Sequence, residues 1–107
     1  MRSVIISKTA NKKLDKLFYY LLTNWNKKVK SDFVKKLDKS INTIKLHPES
    51  FPLSNRNKGL YKCVITKQTT LYYRFNSNRI IIVTIFDTRQ NPKKLKRIYK
   101  SSQLFSD

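Results

Sequence analysis

Residues 70–87 run Thr-Leu-Tyr-Tyr-Arg-Phe-Asn-Ser-Asn-Arg-Ile-Ile-Ile-Val-Thr-Ile-Phe-Asp, and their period decides the fold class. From Thr70 to Asn76 apolar and polar residues alternate, the period of a strand with one face in a core. Ser77-Asn78 supplies a tight turn. Arg79 to Asp87 then reads as a strand whose run Ile80, Ile81, Ile82, Val83 is apolar on both sides, so it belongs inside a sheet. Just upstream, Leu60 to Thr66 alternates as well, and Lys67 to Thr69 turns the chain back. The C-terminal half is therefore a set of strands joined by short turns.

Towards the N-terminus the period changes. Leu14, Leu17, Phe18, Leu21, Leu22 and Trp25 fall at helical spacing and predict one apolar stripe on a helix of about four turns. Asn24 to Lys28 breaks it as a polar turn. Phe33, Val34, Leu37, Ile41 and Ile44 then form a second stripe. Its helix starts either at a cap on Ser31 or Asp32 or earlier, near Asn26, and His47-Pro48 closes it. Residues 2 to 7, centred on Val4, Ile5 and Ile6, read as an opening strand. Residues 48 to 59 form a loop with two of the three prolines and the only glycine, Gly59. Pro92 stops any further strand, and Lys93 to Lys100 is either a short basic helix or part of a tail. The order is β-α-α-β-β-β: an α+β domain with a helical hairpin packed on one face of a small, mainly antiparallel sheet, the other face open.

At 107 residues the chain is expected to be a single domain, 1–107. Its 24 Lys plus Arg against 6 Asp plus Glu give a formal charge of +18. Leu, Ile, Val and Phe make up about 30% of the residues, enough for a core, so this is a folded basic domain and not a basic tail. An AT-rich genome would enrich Lys, Asn and Ile, but it would enrich Glu too, and Glu occurs only at position 49. The missing acids point to a polyanionic or acidic partner. One Cys and one His exclude a metal site made of protein ligands and a disulfide framework, and no cofactor is expected. No apolar run approaches the length of a membrane span, which predicts a cytoplasmic protein.

Alternation sorts the strand residues into two faces. Tyr61, Cys63 and Ile65, with Leu71, Tyr73 and Phe75, form the more apolar set and should meet the helices. Lys62, Tyr72 and Arg74 should project from the open face. Arg56 and Lys58 precede them in the loop, and Arg89 follows the last strand. Cations around an exposed aromatic suit a phosphate backbone with a stacked base. Arg74 and Arg89 stand out because the chain otherwise prefers Lys, and a guanidinium is favoured where an anion is held bidentately. Cys63 reads as a small core residue, and His47 as a helix-end residue.

Over nearly its whole length the pattern resembles the RelE/ParE superfamily of type II toxins. The resemblance rests on the opening strand, the helix with Trp25, the helix running into His47-Pro48, the loop with Gly59, Leu71-Tyr-Tyr-Arg-Phe, and Ile80 to Phe86 followed by Asp87-Thr-Arg-Gln-Asn-Pro92. It implies a toxin that inhibits bacterial growth and is neutralised by a cognate antitoxin, acidic or amphipathic, whose C-terminal segment covers the functional surface. The target it implies is either mRNA on the ribosome, cut by a metal-independent endoribonuclease, or DNA gyrase, poisoned without a catalytic set. By position, Arg56, Lys58, Lys62 and Arg89 match basic residues of the ribonuclease branch. In that case Arg74 and Arg89 hold the phosphate, Lys58 or Lys62 is the base and Tyr72 the acid. The His or Tyr common just beyond the arginine in that branch is replaced by Gln90, Asn91 and Pro92, and the ending looks more like the ParE side. A non-toxic basic nucleic-acid-binding module is the alternative from a different class.

Overall fold

The computed structural model describes residues 2–55 and 59–89. Strand β1 spans Ser3–Ile6, helix α1 Lys8–Asn24 and helix α2 Lys27–Leu46; a single 3-10 turn spans Pro48–Ser50, and strands β2 Tyr61–Val64, β3 Thr69–Phe75 and β4 Arg79–Asp87 follow. The order in the sheet is β1-β4-β3-β2, with β1 parallel to β4 and the other pairs antiparallel. The doubly apolar strand β4 is thus interior, as its composition requires. The basic helix or tail expected after Pro92 lies outside the described residues.

Polar side chains at the joints fix where each element starts. The Ser7 hydroxyl accepts from the Ala10 amide, 3.0 Å, and donates to the Val83 carbonyl, 2.6 Å, so one residue caps α1 and ties it to β4. Asn26 is the cap of α2: its Oδ1 accepts from the Val29 amide at 2.9 Å, which decides for the earlier of the two starts. The Asn76 side chain accepts from the amides of Asn78 and Arg79, 2.8 and 2.9 Å, and pins the β3–β4 turn. Thr66 does the same between β2 and β3, accepting from Gln68 and Thr69 at 3.1 Å each.

The core lies between the sheet and the hairpin. Ala10, Leu14, Leu17 and Leu21 of α1 and Phe33, Leu37 and Ile44 of α2 meet Cys63, Leu71, Tyr73, Ile80, Ile82 and Ile85. The predicted α1 stripe is wider than the buried face: Leu22 is 40% and Trp25 60% exposed. Trp25 is the C-cap residue of α1, where the helix ends and its face no longer follows the sheet.

Tyr73 locks the hairpin to the sheet. It is fully buried, its ring stacks on Tyr61 at 5.6 Å, and its hydroxyl donates to the Pro48 carbonyl at 2.6 Å. Burial pushes this hydroxyl above the ordinary tyrosine range. Tyr73→Phe keeps the ring but leaves a buried carbonyl without its donor. We expect a loss of about 1–2 kcal/mol in urea denaturation, with the denaturant slope unchanged.

Candidate functional site on the open sheet face

The strand register builds the face turned away from the helices as three rows. Val64 pairs with Thr70 and Thr70 with Phe86; Lys62 pairs with Tyr72 and Tyr72 with Thr84; Arg74 pairs with Ile81 and Ile81 with Ile5. Lys62, Tyr72 and Arg74 therefore share this face, as alternation predicts. Their surroundings differ. Arg74 is exposed and Lys62 half-buried, whereas Tyr72 is only 9% exposed and does not project as an accessible ring. Around them stand Val64, 64% exposed, Ile5, 41% exposed, and the half-buried Ile81 and Phe86. Lys13 reaches in from α1 and donates to the Thr84 hydroxyl at 3.0 Å. Arg56 and Lys58 lie outside the described residues.

Arg89 is placed elsewhere, and a β-bulge is the reason. Tyr72 pairs with Thr84 while Tyr73 pairs with Ile82, so Val83 is left over and the alternation of β4 changes phase there. An unbroken period from Ile80 and Ile82 would send Thr84 and Phe86 to the core and leave Asp87 on the open face. The shift instead puts Ile85 in the core, and Asp87 opposite Thr69 is buried.

Arg89 follows Asp87 and closes on it. Its Nε donates to Asp87 Oδ1 at 3.1 Å, its Nη2 to Oδ2 at 2.8 Å, and its amide to Oδ1 at 2.9 Å. Nη2 also lies 3.4 Å from the Thr69 hydroxyl, which itself donates to the Asp87 carboxylate. The Asp87 side chain is 3% and that of Arg89 23% exposed. Burial pushes the Asp87 carboxyl up, but the hydrogen bonds from Arg89 and Thr69, with the Arg89 charge, outweigh it and hold the group below the ordinary carboxylate range.

The expected pairing of Arg74 with Arg89 on one phosphate does not form. Arg74 lies five residues along β3 from Thr69, the residue that Arg89 reaches at 3.4 Å, a separation of about 17 Å at ~3.3 Å per strand residue. The structure brings together Lys62, Tyr72 and Arg74, and separately Thr69, Asp87 and Arg89. Sequence reading missed Asp87 and Thr69. The available signal was an acid two residues before an arginine in a chain with few acids.

A protein-family profile matches residues 4–92, and its description is the ParE toxin of a type II toxin-antitoxin system, parDE. No curated protein sequence matches the chain. Among solved structures, the fold is similar to the chromosomal ParDE toxin-antitoxin system from P. aeruginosa: TM-score 0.69, 12% identity, covering 81% of this chain and 96% of that one. It is also similar to the heterotetrameric YoeB-YefM toxin-antitoxin complex from Staphylococcus aureus: TM-score 0.56, 17% identity, 80% and 95% covered. The E. coli DinJ-YafQ complex is similar at TM-score 0.53 and 13% identity, with 83% and 96% covered.

Proposed function

The chain belongs to the ParE toxin family of type II toxin-antitoxin systems, and from that premise we propose that it stops growth by docking the open face of its sheet on DNA gyrase, without cutting RNA. The observation that carries this reading is the ion pair between Asp87 and Arg89. Cleavage through a ribose 2′-hydroxyl needs an acid, a base and a cation on the phosphate within hydrogen-bond reach of one another. The fork of Arg89 is filled by Asp87, Arg74 is far along the sheet, and Tyr72 is covered. What the face does offer is Ile5, Val64, Ile81 and Phe86 around Arg74 and Lys62. Aliphatic and aromatic groups around an arginine suit a protein surface better than a phosphate backbone, and the ParE branch is the one that takes gyrase as its protein target.

The test is inducible expression in a bacterial host with pulse labelling of DNA and protein synthesis in one culture. DNA synthesis is expected to fall first, with a DNA-damage response. An earlier fall in protein synthesis with cut ribosome-bound mRNA would overturn the reading in favour of the ribonuclease branch. Unchanged synthesis of both would overturn it as well.

A further inference from the structure

Lysine and arginine are divided between the parts of this fold. Helices α1 and α2 hold eleven of the eighteen lysines and none of the six arginines, against three acids, Asp15, Asp32 and Asp38. Asp32 is taken up by Lys28 at 2.9 Å. At about 100° per residue, Lys12 points away from the buried Ala10, Leu14, Leu17 and Leu21 of α1, and Lys35 away from the buried Phe33, Leu37 and Ile44 of α2. Lys8 and Lys39 lie one turn from them on the same sides, and all four are exposed. Phe18 meets Phe33 edge-on at 6.2 Å, which sets the register of the two helices. Lys12 is six residues before Phe18 and Lys39 six after Phe33. In helices joined antiparallel through Trp25 and Asn26 the two lysines are therefore level, each about 9 Å from the aromatic contact at ~1.5 Å per residue.

The chemistry of this side selects its occupant. A lysine is a compact, strongly hydrated point charge suited to a phosphate oxygen, whereas an arginine is favoured where an anion is gripped in two places or a ring is stacked. From Lys28 to Asn42 every exposed residue of α2 is charged or polar, so this side lacks the apolar centre that a protein partner buries. Lysines spread over two helices match a long row of charges better than a single anion. We infer that the outer side of the hairpin, with Lys8, Lys12, Lys35 and Lys39, binds the phosphate backbone of duplex DNA without reading its sequence. The polyanion follows from the lysines, and the choice of DNA over RNA rests on the gyrase reading. The hairpin covers the face of the sheet opposite Lys62 and Arg74, so a toxin held on DNA keeps its open face free for the enzyme that works on that DNA.

The probe is a fluorescent random-sequence DNA duplex, titrated with the purified full chain at several salt concentrations and read by anisotropy. Four phosphate contacts are expected to give a slope of about −3.6 in log K against log salt, with different duplex sequences bound alike. Lys12→Gln with Lys39→Gln keeps helix formers at exposed positions and removes two contacts. Binding is expected to weaken about 60-fold at ~0.1 M salt, and the slope to flatten by about 1.8. Lys67→Gln with Arg79→Gln removes the same charge at exposed positions in the β2–β3 turn and at the start of β4, and is expected to stay within about threefold of the parent. Equal losses in the two double variants overturn the hairpin as the site. Tighter binding to duplex RNA, or displacement of the DNA by polyglutamate at equal charge, overturns DNA as its occupant. No binding at ~0.1 M salt overturns the inference and leaves the gyrase reading to its own supercoiling assay. DNA binding beside unaffected supercoiling instead removes gyrase as the target and keeps the DNA site.

Discussion

Arg89→Ala is expected to destabilise the fold by about 3 kcal/mol at pH 7, because it strands a buried carboxylate. The Asp87 side chain is 3% exposed, and the Arg89 side chain supplies its charge partner and two of its hydrogen bonds, while the backbone amide of residue 89 goes on donating in the variant. The pH dependence weakens with the substitution. In the parent chain the folded-state pKa of Asp87 lies below its unfolded value, so its contribution is present above about pH 4 and is lost as the pH falls through the folded value. Without the guanidinium, burial is opposed only by the Thr69 hydroxyl and the backbone amide, so the folded pKa moves up and the contribution present at pH 7 shrinks. Urea denaturation at pH 4 and pH 7 should therefore show the gap between variant and parent narrowing on acidification. A constant gap would mean that the ion pair is not what Arg89 contributes.

Arg74→Glu is expected to abolish growth arrest while leaving stability within about 0.5 kcal/mol, since the side chain is exposed. An arginine at the centre of a docking patch typically accounts for 2 kcal/mol or more, about 30-fold in affinity, and reversing its charge adds repulsion. The expected readout is a rise of at least about 30-fold in the toxin concentration needed to inhibit gyrase, with an unchanged melting curve. Retained growth arrest would move the functional surface off the open face.

The layout of the domain was readable because its signals are local. Four successive β-branched residues could only be an interior strand, and His47-Pro48 could only end a helix. The faces of β2 and β3 followed from period two, which brought Lys62 and Arg74 to the open side. The role of Arg89 was not readable. The bulge at Val83 adds one residue to a strand whose sequence is apolar on both sides, so no polarity change marks the phase shift. That shift carries Asp87 into the buried set and makes Arg89 its partner. Tyr72 was placed on the correct face, but its burial depends on neighbours that alternation does not count. The exposed Leu22 and Trp25 show the opposite limit, since a helical stripe does not say where the sheet beneath it stops.

The most direct test is DNA supercoiling by purified gyrase with increasing amounts of the full chain, run beside an assay of mRNA bound to ribosomes. Loss of supercoiling with accumulation of cleaved DNA, and intact mRNA, is the expected result. Unaffected gyrase with mRNA cut on the ribosome would contradict it.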